Sequence, residues 1–214
     1  MRAEAIGKDG ADCVLSAIDR MPLSSVFRAE REDRIDHSNR IRAHNMRILF
    51  VCMGNICRSP VVEAVARARF ARAGRVVDVD SAGTESYHVG QPPDPRSLAS
   101  AQRYGYDASA HRARQVGAGD FALFDKLLVM DRMNLRALER LAPGEGHDKI
   151  AMFLPWAGVA EPHDFPDPYY GLAEDFDKVV TLAEIGIDGL IRRLTAVESG
   201  SGIQAATVHD RPGR

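Results

Sequence analysis

The chain has 214 residues, 45% hydrophobic and 27% charged, with a formal net charge of −2 and a sequence pI near 6.4. This balance suits a globular protein with one sizeable core and excludes the basic field of a nucleic-acid binder. No apolar run approaches the ~20 residues that span a bilayer, and three cysteines, an odd count with a wide gap from Cys13 to Cys52, do not make a disulfide framework.

Residues 1–45 carry eight basic and eight acidic side chains, with few apolar residues after Phe27. That mixture predicts a solvated or disordered extension, or an upstream start assigned only on paper, and it lacks the acid-poor character of a targeting presequence. Reduced thiols and the absence of such a presequence predict a cytoplasmic protein. At Met46 the pattern changes. "RILFVC" (47–52) is a continuous apolar run, as in a strand buried on both faces. Ser59 is placed to N-cap the following helix, with Pro60 at its first position and Gly74 at its stop.

"VVDVDSAG" (76–83) predicts a second strand, and Asp94-Pro95 opens a helix that ends near Gly105. "KLLVMD" (126–131) predicts a third strand. "RMNLRALERLA" (132–142) predicts a helix with Asp131 as its N-cap and Pro143-Gly144 as its stop. "AMFLP" (151–155) reads as a short fourth strand. A long helix follows from about Ala173 to Val197. Its apolar stripe is Phe176, Val180, Ala183, Ile187, Leu190, Ile191 and Leu194. Residues 198–214 have the composition of a flexible tail. The alternation predicts an α/β fold: a four-stranded parallel sheet, doubly wound, with helices on both faces and a domain over 46–197.

In such sheets chemistry gathers at the carboxyl ends of the strands. The loop after the first strand reads "CMGNICRSP", residues 52–60. Backbone N–H groups between a strand and a helix N-terminus make an anion nest. Gly54 removes a side chain there, and Asn55 tolerates a left-handed backbone. Arg58 adds a planar fork for two phosphate oxygens. Cys52 sits at the base of the nest, where such surroundings favour the nucleophilic thiolate. The nucleotide pattern G-x-x-x-x-G-K-[ST] is absent. A thiolate that attacks phosphorus needs a proton donor for the leaving oxygen, and "HDFPDPYYG" (163–171) offers Asp164 and Asp167. No cysteine or histidine pair has metal-site spacing, so neither a metal nor another cofactor is expected.

C-x5-R-S-P after the first strand, with D-P-Y-Y before the last helix, resembles the low-molecular-weight protein tyrosine phosphatases. "DSAGTESYHVGQPPDPRS" (80–97), "HRARQV" (111–116) and "FDKLLVMDRMN" (124–134) extend the resemblance in order over residues 46 to about 197. The resemblance implies that Cys52 is the nucleophile, Arg58 the phosphate clamp and Asp167, rather than Asp164, the general acid. The phosphate-binding loop would comprise Met53, Gly54, Asn55, Ile56, Cys57 and Ser59. Asn55, Ser59, Ser81 and His111 would hold it in shape, and Ile56, Tyr87, Tyr169 and Tyr170 would line the substrate pocket. Cys57 would trap an oxidised Cys52 as a disulfide.

The implied activity is hydrolysis of phosphotyrosine through a phosphocysteine. The implied partners are tyrosine-phosphorylated proteins, a tyrosine kinase among them, with no nucleic acid or membrane and at most weak self-association. Three other functions compete. Arsenate reduction on this fold needs relay cysteines, and none follows Cys57. Phosphoarginine hydrolysis is disfavoured by Ile56 and the paired tyrosines. A non-catalytic phosphate-binding module is disfavoured by the intact Cys52, Arg58 and Asp167.

Overall fold

The computed structural model describes residues 45–198. The expected extension over 1–45 and tail over 198–214 lie, apart from Asn45 and Glu198, outside the described residues. Four strands, β1 (Met46–Cys52), β2 (Val77–Gly83), β3 (Lys126–Val129) and β4 (Ile150–Met152), form one all-parallel sheet in the order β2-β1-β3-β4. Among the described residues six helices accompany them: α1 (Arg58–Arg72), α2 (Pro95–Arg103), α3 (Asp120–Leu123), α4 (Arg132–Leu141), α5 (Phe153–Trp156) and α6 (Ala173–Glu198). A 3₁₀ segment, Gly144–Lys149, precedes β4.

The apolar runs of β1 and β3 are explained by burial on both sides. Successive side chains of a strand face opposite ways. Ile48, Phe50, Leu128 and Met130 join the core built with α1, α5 and α6. Leu49, Val51, Leu127 and Val129 join a second core with Val116, Phe121 and Leu138. Helices therefore cover both faces, as the alternation predicts. The stripe of α6 buries Phe176, Val180, Ala183, Ile187 and Leu190, while Ile191 and Leu194 stay partly exposed at its edge.

Local signals place most boundaries. Asp94 caps α2 by accepting the Arg96 N–H at 2.8 Å, with Pro95 at the first helical position. Asp131 caps α4 by accepting the Asn134 N–H at 2.7 Å. Three boundaries differ from expectation. α1 starts at Arg58 after Cys57, and no side chain caps it. Ser59 lies inside the helix because its hydroxyl serves the preceding loop instead. β3 ends at Val129, since Asp131 already belongs to the cap of α4. β4 ends at Met152, and Phe153–Trp156 form the short α5. Phe153 and Leu154 are fully buried, and a short buried apolar run looks the same whether strand or helical turn. Helix α3 and the 3₁₀ segment, both brief, were not anticipated.

β1 leads through α1 to β2 on one side, and its other neighbour β3 leads through α4 to β4 on the opposite side, so the connections leaving these two adjacent strands diverge. The crevice at such a switch point is where parallel sheets place ligands. Among the described residues, no helix is long and apolar enough to cross a membrane.

Candidate active site

The segment 52–57 turns from β1 into α1. Its backbone is tied to the exit of β2: Thr84 N–H donates to Cys52 O at 2.8 Å and Glu85 N–H to Met53 O at 3.0 Å. Asn55 takes φ = 55°, a left-handed conformation that asparagine adopts more readily than other side-chain-bearing residues. A Cβ on Gly54 would come within 2.9 Å of the His88 ring, so a larger residue there would displace that ring from the loop.

Hydrogen bonds converge on the cysteine sulfur. Asn55 N–H points at Cys52 Sγ at 3.3 Å, and Ser59 Oγ lies 3.1 Å from it. The first turn of α1 carries no acidic side chain, which leaves the positive end of the helix dipole for an anion.

The expected supporting residues come together. Asn55 Nδ2 donates to Ser59 Oγ and to Ser81 Oγ, each at 2.9 Å. Its Oδ1 accepts the Arg114 N–H at 2.9 Å. His111 Nε2 lies 3.1 Å from the Asn55 carbonyl. Behind them stands Glu63 of α1, which the sequence reading missed. Its Oε2 accepts from Ser81 Oγ at 2.6 Å and lies 3.5 Å from His111 Nδ1, and Arg67 pairs with its other oxygen at 2.5 Å. Burial alone would raise its pKa. The hydrogen bonds from His111 and Ser81 and the Arg67 charge outweigh burial and hold the carboxyl below its ordinary value of 4.5. The signal available in sequence was only position: Glu63 lies one helical turn from Ser59 on α1.

A carboxyl whose folded pKa is depressed contributes stability above its unfolded pKa and loses it as pH falls through the folded value. Glu63→Gln is expected to cost about 1–3 kcal/mol at pH 7, because buried donors lose their carboxylate. It is also expected to flatten the loss of stability that begins below about pH 4.5. Denaturant melts of both proteins from pH 7 to pH 3 check this; parallel profiles would remove Glu63 from the network.

Arg58 enters the same crevice from α1 and is buried. Its Nη1 donates to Asp131 at 2.6 Å and its Nη2 to Asp167 at 2.6 Å. Burial opposes its charge, but Cys52, Asp167 and Asp131 outweigh burial and hold the guanidinium above its ordinary pKa. Asp131 thus has two tasks, capping α4 and orienting Arg58; sequence reading found only the first.

Phe165 anchors the loop that carries Asp167. It is buried against Phe153, its N–H donates to Met130 O at 2.7 Å, and its carbonyl faces Arg58 Nη1 at 3.4 Å. The two aspartates of this loop separate. Asp164 accepts the Arg132 N–H at 3.1 Å, at the start of α4, while Asp167 faces Arg58.

A cleft of about 470 Å³ opens over the loop, lined by Cys52, Ile56, Arg58, Tyr87, Asp167 and Tyr169, with Met53, Gly54, Cys57, His88 and Tyr170 around them. Tyr169 and Tyr170 meet edge to face, ring centres 4.9 Å apart. Cys57 is buried with Ile56, Ala113 and Phe176. Burial, with the Asp94 charge, pushes its thiol up to about 12. Cys52 and Cys57 are both free. Among the described residues, no group of three or more His, Cys, Asp or Glu is placed to hold a metal ion. An anion nest, a sulfur at its base, a guanidinium and a carboxylate therefore share one aromatic-walled cleft.

Comparison with known proteins agrees over the same span. The family model for low molecular weight phosphotyrosine protein phosphatases matches residues 47–199. A low molecular weight protein-tyrosine-phosphatase of Streptomyces coelicolor is 41% identical over 150 residues, covering 68% of this chain and 91% of its own. A protein tyrosine phosphatase of Entamoeba histolytica, crystallised with Hepes in the active site, superposes with a TM-score of 0.68 at 34% identity, covering 74% of this chain and 100% of its own. Vibrio vulnificus Wzb in complex with benzylphosphonate superposes with a TM-score of 0.62 at 30% identity, covering 69% and 98%.

Proposed function

The chain belongs to the low molecular weight phosphotyrosine protein phosphatase family, and from that premise we propose that residues 46–197 hydrolyse phosphotyrosine in proteins through a phosphocysteine formed on Cys52. The convergence of Asn55 N–H and Ser59 Oγ on Cys52 Sγ, beside Arg58 and Asp167, carries this proposal.

The substrate phosphate enters the nest, and two of its oxygens take the Arg58 fork. Asp167 gives up its bond to Arg58, takes up a proton from solvent and turns to the ester oxygen. The Cys52 thiolate attacks phosphorus as the P–O bond to tyrosine breaks, and protonated Asp167 delivers its proton to the departing phenolate oxygen. Asp167, now a carboxylate, takes a proton from water as the water oxygen attacks the phosphocysteine. The S–P bond breaks, phosphate forms, and the Ser59 hydroxyl stabilises the departing thiolate. Asn55, Ser81 and His111 hold the donors aimed throughout, so little reorganisation is needed at the moment of reaction. Tyr87 and Tyr169 flank the ring, and the benzylphosphonate held by the Vibrio protein is a ligand of matching shape, a phenyl ring joined to a tetrahedral phosphorus through a methylene in place of the ester oxygen.

Cys57 is assigned to protect the nucleophile. When a peroxide oxidises Cys52 to the sulfenic acid, the Cys57 sulfur displaces water and closes a disulfide, which a thiol later reduces. Burial and the Asp94 charge raise the Cys57 pKa, so Cys57 does not compete with Cys52 as nucleophile while Cys52 is reduced.

Purified protein under reducing conditions is expected to hydrolyse p-nitrophenyl phosphate and to release phosphate from phosphotyrosine peptides at least about tenfold faster than from phosphoarginine, the range in which pocket fit discriminates. Faster release from phosphoarginine would overturn the tyrosine assignment. Inertness toward all three would reduce the site to phosphate binding.

A further inference from the structure

We propose that the mouth of the cleft selects phosphotyrosines whose neighbouring residues are apolar and disfavours those flanked by acidic residues. The proposal rests on the phosphotyrosine reading and extends it from the phosphorylated residue to its surroundings.

Two turns frame the mouth, and each carries large apolar groups in solvent. The first holds Tyr87 (73% exposed) and Val89 (56%), and the second Tyr170 (97%) and Leu172 (74%). Met53 of the phosphate loop is exposed between the residues lining the cleft. Single exposed apolar residues are ordinary. A set carried by the two turns that line one cleft marks a contact surface.

Both turns are pre-shaped by hydrogen bonds. Val89 N–H donates to Ser86 O at 3.2 Å, and the following Gly90 N–H to Ala113 O at 2.8 Å. The His88 ring rests against Gly54 while its Nδ1 lies 2.9 Å from Gln91 Oε1, which ties this turn to the phosphate loop. Across the mouth, Gly171 N–H donates to Pro168 O at 2.8 Å and Leu172 N–H to Asp175 at 2.9 Å. Val89 and Leu172 thus sit in pre-shaped turns, each two residues beyond a tyrosine that lines the cleft, Tyr87 and Tyr170.

Charge points to the same occupant. Among the described residues that line the cleft, Arg58 is the only arginine or lysine, and Asp131 and Asp167 already engage it. Arg96 stacks on Tyr169 and Phe176 but pairs with Asp94 at 2.8 Å. An acidic neighbour on the substrate would lose water without gaining a cation from the lining of the cleft. Apolar neighbours instead bury surface against Val89, Leu172 and Tyr170.

The test uses three phosphotyrosine peptides that differ only beside the phosphotyrosine, with leucine and valine, with serine and glycine, or with glutamates. p-Nitrophenyl phosphate serves as the control without flanks. The apolar peptide is expected to have about tenfold higher kcat/KM than the acidic one, with the difference in KM. In the double variant Val89→Ser/Leu172→Ser the gap is expected to shrink to about twofold while p-nitrophenyl phosphate turnover is unchanged. Equal or reversed ranking with p-nitrophenyl phosphate still hydrolysed would overturn the proposal and leave the phosphatase reading standing. So would wild-type self-association in sedimentation that the double variant abolishes without changing the ranking, because the patch would then belong to a second copy. No turnover of any substrate would overturn the phosphatase reading and this one with it.

Discussion

Replacing Cys52 by serine is expected to lower turnover by on the order of 10⁴-fold or more, the scale on which removal of a catalytic nucleophile acts, while inorganic phosphate still binds. The two halves of this expectation separate because different atoms carry them. Attack requires the sulfur. Anion binding requires the backbone N–H groups at the start of α1 and Arg58, which the substitution leaves in place. Serine is smaller than cysteine, and Asn55 N–H and Ser59 Oγ are placed to meet its oxygen. Phosphate affinity is therefore expected to be retained by calorimetry. Turnover above about a hundredth of wild type would exclude Cys52 as the nucleophile; lost phosphate affinity would instead show that the sulfur holds the loop together. The same variant, which binds but does not turn over, captures phosphorylated substrates from cell extract.

Replacing Asp167 by alanine is expected to slow phosphotyrosine hydrolysis by about 10²–10⁴-fold, the usual worth of general acid help. A second effect accompanies it, since Asp167 pairs with Arg58 at 2.6 Å. The leaving group separates the two. Tyrosine is a poor leaving group without a proton, with a phenol pKa near ~10, whereas p-nitrophenolate departs more readily. If Asp167 supplies the proton, kcat/KM falls much further for phosphotyrosine than for p-nitrophenyl phosphate. If it only positions Arg58, both fall equally. Arg58 keeps its bond to Asp131 in either case, so the clamp is expected to stay oriented.

Helix caps and buried strands were readable because their causes are local. Asp94-Pro95 and Asp131 act on N–H groups two or three residues away. The continuous apolar runs of β1 and β3 say that both faces are covered without saying by what. Ser59 misled for a physical reason. A serine before a proline is a good cap in isolation, but here its hydroxyl turns to Cys52 and Asn55, and the helix begins two residues earlier. A functional demand overrode a local preference, as expected where the chain is shaped for a ligand.

The sequence by itself determined the alternation of strands and helices, the placing of Cys52 and Arg58 on one short strand-to-helix loop, and, through resemblance, the family. These rest on residues close in the chain, where spacing sets geometry. Only the tertiary structure decided the rest. It decided the order β2-β1-β3-β4, which puts the loop at a switch point. It turned Asp164 onto α4 and Asp167 onto Arg58, three residues apart yet facing different partners. It gave Asp131 its second partner, 73 residues back along the chain, and sealed Glu63 beneath the loop beside His111 and Ser81. Contacts over such separations depend on how helices pack on the sheet, and the period of a local apolar pattern carries no record of them.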